Sequence, residues 1–391
     1  MGRGARVVVP MTDLASEYRS LEGPIDAAIR RVLNSGHYAL GPELEAFEAE
    51  FAAYCGVSHA VGVGSGTAAV QLALIAAGVG EGDEVITVPN TDSPTVMAIT
   101  HVGASVVWVD TDPQTFNMDP HLVEAAVTSR TRAIIPVHLF GHPVDMDPVL
   151  EIARRHGITV IEDAALAAGA RYRDRRTGGL GHIGCFSLAP GKVLGGYGDG
   201  GIVVTDDDAI AGRLGVLRNY GHAPGMSLDE RNLIGTERWT VLEEGYNERL
   251  DEAWAAVLRV KLPSLDERID RRRAAAARYT ERLAGLPVVT PHEATYARHA
   301  YHSYQVLIDD RDAARRTLER RGIATRLFYI PPLHLQPAYA WLGLGPGSFP
   351  VTESTSSRML ALPLFPQISE DQIDEVVDAL AAHLDLGGQD G

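Results

Sequence analysis

Lysine is almost absent from this 391-residue chain: of 35 basic residues, only Lys192 and Lys261 are lysines and the rest are arginines. Arginine stays protonated and cannot form an imine, whereas lysine can become the neutral amine that a Schiff base needs. Cysteine is scarce too. Cys55 and Cys185 stand far apart in apolar surroundings, which excludes a disulfide framework and points to reduced thiols of a cytoplasmic protein. The basic surplus that tracks a phosphate backbone is missing: 35 basic against 51 acidic residues give a formal net charge of -16. The one arginine run, Arg271-Arg272-Arg273, reads as a solvated helix face, so no nucleic-acid partner is expected. No apolar stretch approaches the length of a membrane span, and the apolar run in the N-terminal MGRGARVVVPM is too short for a signal peptide. Neither membrane insertion nor secretion is expected, and no metal site is read.

What is present is enough apolar material for a large core, at 45% hydrophobic and 22% charged residues. Two domains are expected: a large one over residues 1–255 with an N-terminal arm, and a linking helix with a small C-terminal α/β domain over 256–391. Short β-branched runs at 84–88, 105–109, 133–137 and 158–162 alternate with helical stretches at 94–102, 122–128 and 148–156. That alternation predicts an α/β fold with a mostly parallel sheet covered by helices and ligands at the strands' carboxyl ends. In the second unit a strand at 301–308, a helix at 311–321, a second strand at 325–329 and a closing helix at 370–384 are expected. Residues 223–238 read as a polar surface loop.

Residues 158–207 carry the chemistry. A buried strand ends at the carboxylate of Asp163, and a second apolar strand runs into Ala189-Pro190-Gly191-Lys192, which holds a lone lysine in a Pro/Gly-framed turn before the glycine-rich 195–201. Lys261, in the helical run AWAAVLRVKLPSL, reads instead as a snorkelling helix residue. Upstream, a short strand passes through Gly64-Ser65-Gly66-Thr67 into an apolar helix, where small residues let backbone amides approach an anion. By itself such a turn is as often plain packing. His138, at another strand end, reads equally as a core histidine or a pocket residue. The loop 331–337, PPLHLQP, could border a pocket or be simple surface.

The segments IEDAA, GGLGHIGCFSLAPGK and GGYGDGGIVVTDD, with SGHYALGPELEAFEAEFAAYCGV before them and GYNERLDEAWAAVLRVKLPSLDER, IPPLHLQPAY and LALPLFPQISEDQ after, resemble the sugar aminotransferases of the DegT type. These belong to the aspartate-aminotransferase (type I) fold, and the resemblance spans nearly the whole chain. It implies pyridoxal 5'-phosphate as cofactor, with Lys192 as its Schiff-base lysine, Asp163 as partner of its pyridine nitrogen, and Gly66, Thr67, Ala165 and Ser187 around it. It further implies that Asn247 reaches the cofactor phosphate of a neighbouring subunit, and hence a homodimer with shared active sites. Leu166, His302, Tyr329 and His334 are placed at the substrate. The implied reaction moves an amino group from L-glutamate or L-glutamine to a keto-sugar, nucleotide-linked, or to a cyclitol, in specialised-metabolite biosynthesis.

A sugar dehydratase or other lyase using the same cofactor is the alternative, and a non-catalytic regulatory relative a further one. Lysine at 192, where the dehydratase relatives carry histidine, favours amine transfer. The sequence departs from the family pattern at Leu166 and Ala168, where Gln and His are usual, in the aromatic-free loop 90–94, and at Phe328, where His is frequent.

Overall fold

In the computed structural model, residues 9–223 and 240–387 are described; the loop expected at 223–238 lies almost wholly outside them. Helices α1 (Leu14–Ser35) and α2 (Pro42–Cys55) lead into β1 (His59–Val63) and α3 (Gly66–Ala76). Then β2 (Glu84–Thr87), α4 (Ser93–His101), β3 (Ser105–Trp108), α5 (Pro120–Ala126), β4 (Thr131–Ile134), α6 (Met146–His156) and β5 (Thr159–Asp163) alternate. A short ribbon of β6 (Arg171–Tyr172) and β7 (Arg175–Arg176) precedes β8 (Ile183–Ser187), β9 (Gly201–Thr205) and α7 (Asp208–Leu217). The seven-stranded sheet has the order β1-β9-β8-β5-β4-β2-β3. Pairings from β3 through β2, β4 and β5 to β8 are parallel, and β9 runs antiparallel to both of its neighbours. The expected mostly parallel α/β sheet is therefore observed, with helices on its faces because strands such as β2 and β9 are buried along their whole length.

The parallel strands all deliver their carboxyl ends to one edge, where β1, β2, β5 and β8 lead to Ser65, Asn90, Asp163 and Ser187. Behind this edge Glu162 is fully buried, accepts bonds from the amides of Gly178 (2.7 Å), Leu180 (2.7 Å) and Gly181 (2.6 Å), and pairs with His138 at 2.9 Å. His138 in turn accepts from the Val144 amide. The histidine is thus a core residue that locks β5 to the loop after β4; its pocket reading falls.

Helix α8 (Glu252–Lys261) packs on α1 and α2, and α9 (Leu265–Arg282) follows after a 3₁₀ turn at Pro263. Leu265 and Ile269 of α9 join the core under the large sheet, while Ala275, Ala276, Tyr279 and Leu283 join the core of the second unit. A division after residue 255 would assign this whole helix to the second unit; its side chains serve both. There β10 (Ala297–Arg298) extends the β6–β7 ribbon, and β11 (Tyr304–Leu307) pairs with β12 (Met359–Leu362) beside α10 (Arg311–Arg320), α11 (Pro350–Arg358) and α12 (Glu370–Gly387).

Three expectations need correction. Residues 325–329 form no strand: only Arg326 bridges Ala361, because β12 supplies the ladder to β11. Arg272 is 3% exposed, not solvated, and its Nη1 donates to the carbonyls of Tyr301, His302 and Leu364. Lys261 does not snorkel: it is 1% exposed and ion-paired with Glu17 of α1. Cys55 and Cys185 are buried and free, as the composition implied.

Candidate active site

The strand ends converge on a cavity of about 240 Å³ lined by Ser65, Gly66, Thr67, Thr95, Asp163, Ala165, Leu166, Ser187, Lys192 and Tyr329, among others. Lys192 comes from a turn closed by its own amide on the Ala189 carbonyl (3.2 Å), with Gly191 at φ +86°, a conformation in which any side chain is strained. Burial depresses the Lys192 ammonium below the ordinary lysine range; the carboxylates of Asp163 and Asp92 oppose that effect. Asp163 is 5% exposed, and burial raises its carboxyl, opposed by a bond from Thr95 Oγ1 (2.7 Å), one from the Ala165 amide (3.1 Å), and the charge of Lys192. Thr95 is itself within 2.9 Å of the Thr91 hydroxyl. Thr95, itself bonded to Thr91 in the loop before α4, therefore fixes one oxygen of the acid, and the backbone fixes the other.

At the opposite end of the cavity α3 begins. Ser65 caps it by accepting from the Ala68 amide at 3.1 Å, leaving the amides of Gly66 and Thr67 in the first turn without intrahelical acceptors. A Cβ on Gly66 would lie 2.7 Å from the Ser187 Cβ, so only glycine lets this turn approach Ser187. An anion-binding helix start, a buried carboxylate and a lone depressed lysine enclose one space, with the donors pyridoxal phosphate requires: amides for phosphate, an acid for the ring nitrogen, an amine for the aldehyde. The residues fit that group.

A second cavity of about 250 Å³ adjoins the first and shares Asp92, Leu166, Lys192 and Tyr329 with it. Met11, Thr12 and Leu14 of the N-terminal arm, His302, Ser303, Arg326 and Phe328 complete its wall. Burial holds the His302 imidazole well below its ordinary pKa, reinforced by the positive charges of Lys192, Arg272 and Arg326. Burial likewise raises the Tyr329 phenol, helped by Asp92 and Asp163. This is the space open to a reactant approaching Lys192.

Two sequence-expected residues are not brought to these cavities. His334 is 1% exposed and turned to Glu353, which its Nε2 meets at 3.0 Å, so it braces the loop instead of lining the pocket. Asn247 pairs through its backbone with Asn219 and lines neither cavity of its own chain. Ala168 is buried in the core beneath α2 and α9, so its departure from the family pattern changes packing, while Leu166 faces both cavities. Thr91, Thr95, Asp92 and Arg326 escaped sequence reading. The Thr91–Thr95 spacing marks one face of a helical turn, but nothing local connects that face to an acid 68 positions away.

The DegT/DnrJ/EryC1/StrS aminotransferase family matches residues 20–381. The chain belongs to this family. It is 47% identical over 375 residues to the erythromycin biosynthesis sensory transduction protein EryC1 of Saccharopolyspora erythraea, covering 96% of this chain and 99% of that protein. It is also 47% identical over 373 residues to a dTDP-3-amino-3,4,6-trideoxy-alpha-D-glucose transaminase of Streptomyces venezuelae, covering 95% of each. Among solved structures, S. venezuelae DesV in complex with a ketimine intermediate superposes with a TM-score of 0.90 at 47% identity, covering 96% of this chain and 98% of that one. As a member, the chain is a pyridoxal-phosphate-dependent aminotransferase.

Proposed function

We propose that the chain transfers an amino group from L-glutamate or L-glutamine to a nucleotide-linked keto-sugar that has lost hydroxyl groups, in the cytoplasm, as a homodimer with shared sites. The observation that carries the acceptor class is Leu166, an apolar side chain facing both cavities beside Asp163. An apolar wall does not reject a substrate lacking a hydroxyl, whereas a wall built to bond one does so strongly. The names of two relatives, both transaminases of a dTDP-linked 3,4,6-trideoxy-glucose, support the same class.

Pyridoxal phosphate, when bound, supplies the electron sink for the substrate carbon. Gly66, Thr67 and Ser187 would hold its phosphate, and Asp163, fixed by Thr95 and the Ala165 amide, would keep a proton on the ring nitrogen. Lys192 would anchor the group through its Nζ, and the same amine, when free, would move a proton at the substrate carbon. Arg326, on the wall of the second cavity, supports binding of a donor carboxylate there. His302, held neutral, and the half-buried Tyr329 would offer uncharged hydrogen-bonding groups to the acceptor.

The shared-site reading is supported by the surroundings of Asn247. Tyr220 (45%), Leu242 (59%) and Tyr246 (39%) are exposed close by, and such an apolar patch suits contact with a second copy. Mixing Lys192→Ala with Asn247→Ala subunits is expected to restore activity, since some sites then carry both groups. A verified mixed dimer with no recovery would count against shared sites.

The acceptor is tested by comparing kcat/KM for a dTDP-linked 3-keto-4,6-dideoxyhexose, its 4-hydroxylated counterpart and a keto-cyclitol, with glutamate and with glutamine. The deoxygenated sugar is expected to lead. Leu166→Gln is expected to narrow that preference by roughly 10-fold or more, the scale of one polar contact in a pocket. A native preference for the fully hydroxylated sugar would remove the proposal.

A further inference from the structure

Only one of the two lysines is placed for covalent chemistry, and the other is the more deeply buried. Lys261, at the C-terminal end of α8, bonds through its Nζ to the carbonyl of Gly195 and pairs with Glu17 of α1. Its ammonium lies 5.0 Å from the centre of the Tyr197 ring, and Tyr197 meets Tyr18 of α1 edge-on at 6.1 Å. Arg268 of α9 reaches the same Glu17 oxygen at 2.7 Å. Burial lowers the Lys261 ammonium, opposed first by Glu17.

What Lys261 touches on each side gives the contact its meaning. Gly195 packs against the turn that carries Lys192: a Cβ there would lie 2.6 Å from the Ala189 carbonyl and 3.2 Å from the Lys192 amide. The following amide, Gly196, bonds the Leu188 carbonyl at 2.7 Å. On the other side, Glu17 lies one turn beyond Leu14, and Leu14 with Met11 and Thr12 walls the second cavity. One buried cation therefore joins the backbone that closes the Lys192 turn to the helix that positions the arm over the substrate space. A solvated lysine could do neither, because a charge costs far more to leave unpaired inside than in water, so this contact is held only while both partners stay in place.

We propose that Lys261 is a positioning residue: its ammonium clamps the Gly195 carbonyl to the Glu17 carboxylate, so that the Lys192 turn and the N-terminal arm are held in register. This goes beyond the transamination reading, and it depends on that reading only for the assignment of Lys192 to the cofactor. It also gives the second lysine a task, since a compact ammonium on a flexible stem meets a carbonyl and a carboxylate at once.

The test is hydrogen exchange by mass spectrometry on the purified holoenzyme and its Lys261→Met and Glu17→Gln variants, with apparent dissociation constants for pyridoxal phosphate from its visible absorbance. Lys261→Met is expected to raise exchange at 191–197 and at 12–20 together, while β5 remains as in the parent. Glu17→Gln is expected to loosen 191–197 as well, although Glu17 meets that turn only through Lys261, and this is the outcome that a merely local structural role would not give. The dissociation constant should rise about tenfold or more in each, the scale of one lost hydrogen bond to a charged group. If Lys261→Met does not fold, Glu17→Gln alone decides. A 191–197 segment as protected as in the parent, or an unchanged dissociation constant, in any folded variant overturns the clamp. Because exchange is read without substrate, a failure here is distinct from failure of the proposed reaction, which the acceptor comparison reports.

Discussion

Borohydride reduction of the purified protein is expected to fix pyridoxal phosphate to the peptide carrying Lys192 and to no other. Lys261, the other lysine, is 1% exposed and engaged with Glu17 and the Gly195 carbonyl, so its amine has no route to an aldehyde. Lys192 lies on the wall shared by both cavities, and burial lowers its pKa, so the reactive neutral amine persists to lower pH than on an exposed lysine. Capture of added cofactor should accordingly remain fast below the range where surface lysines stop reacting. Lys192→Ala is expected to lose both the covalent anchor and the proton carrier. The second loss alone is worth roughly 10²–10⁴-fold in rate. The fold should survive, because Pro190 and Gly191 frame the turn and the Gly196 amide still closes it on Leu188. Label on Lys261, or turnover by Lys192→Ala within tenfold of the parent, would end the assignment.

How much of this was legible before the structure depends on whether the information was local. The sheet was, since β-branched runs separated by helical stretches leave a parallel arrangement as the simplest way to bury both faces. That Lys192 and Asp163 face one cavity was also legible, because Asp163 ends β5 and Lys192 lies in the turn that follows β8, within one continuous segment. The misreadings share one cause. Lys261 and Arg272 occupy helices whose period gives which residues share a face but not what arrives opposite that face from a distant part of the chain; Glu17 and the carbonyls of Tyr301 and Leu364 come from there. His334 looked like a pocket residue because its loop is rigid and polar, yet Glu353, contributed by α11, turns it inward. The partner of β11 is β12, from a distant apolar run, and residues 325–329 add only a single bridge beside it. Thr95 was invisible for the same reason: its partner sits at the end of another strand.

That same threonine makes Asp163 the subject of the second large effect. Asp163→Asn is expected to keep the cofactor bound, since the Lys192 and α3 contacts are untouched, but to slow turnover by about a hundredfold or more, the scale for losing one pre-organised electrostatic partner. The physical reason is that an amide at this place carries no charge to hold a proton on the ring nitrogen. Thr95→Val gives a graded form of the same experiment. Burial already raises the Asp163 carboxyl, and the Thr95 hydroxyl is first among the contacts that pull it back down. Deleting that hydroxyl leaves the carboxylate less stabilised, so its pKa rises further. Activity needs the ionised acid and is lost as pH falls through this pKa, so the acid limb of the kcat profile should move to higher pH in Thr95→Val, with the alkaline limb in place. Thr91→Val, one step further from the acid, should move it less. Near-parental turnover by Asp163→Asn, or a Thr95→Val acid limb that stays put or moves to lower pH, would show that turnover does not depend on this carboxylate to keep the ring nitrogen protonated.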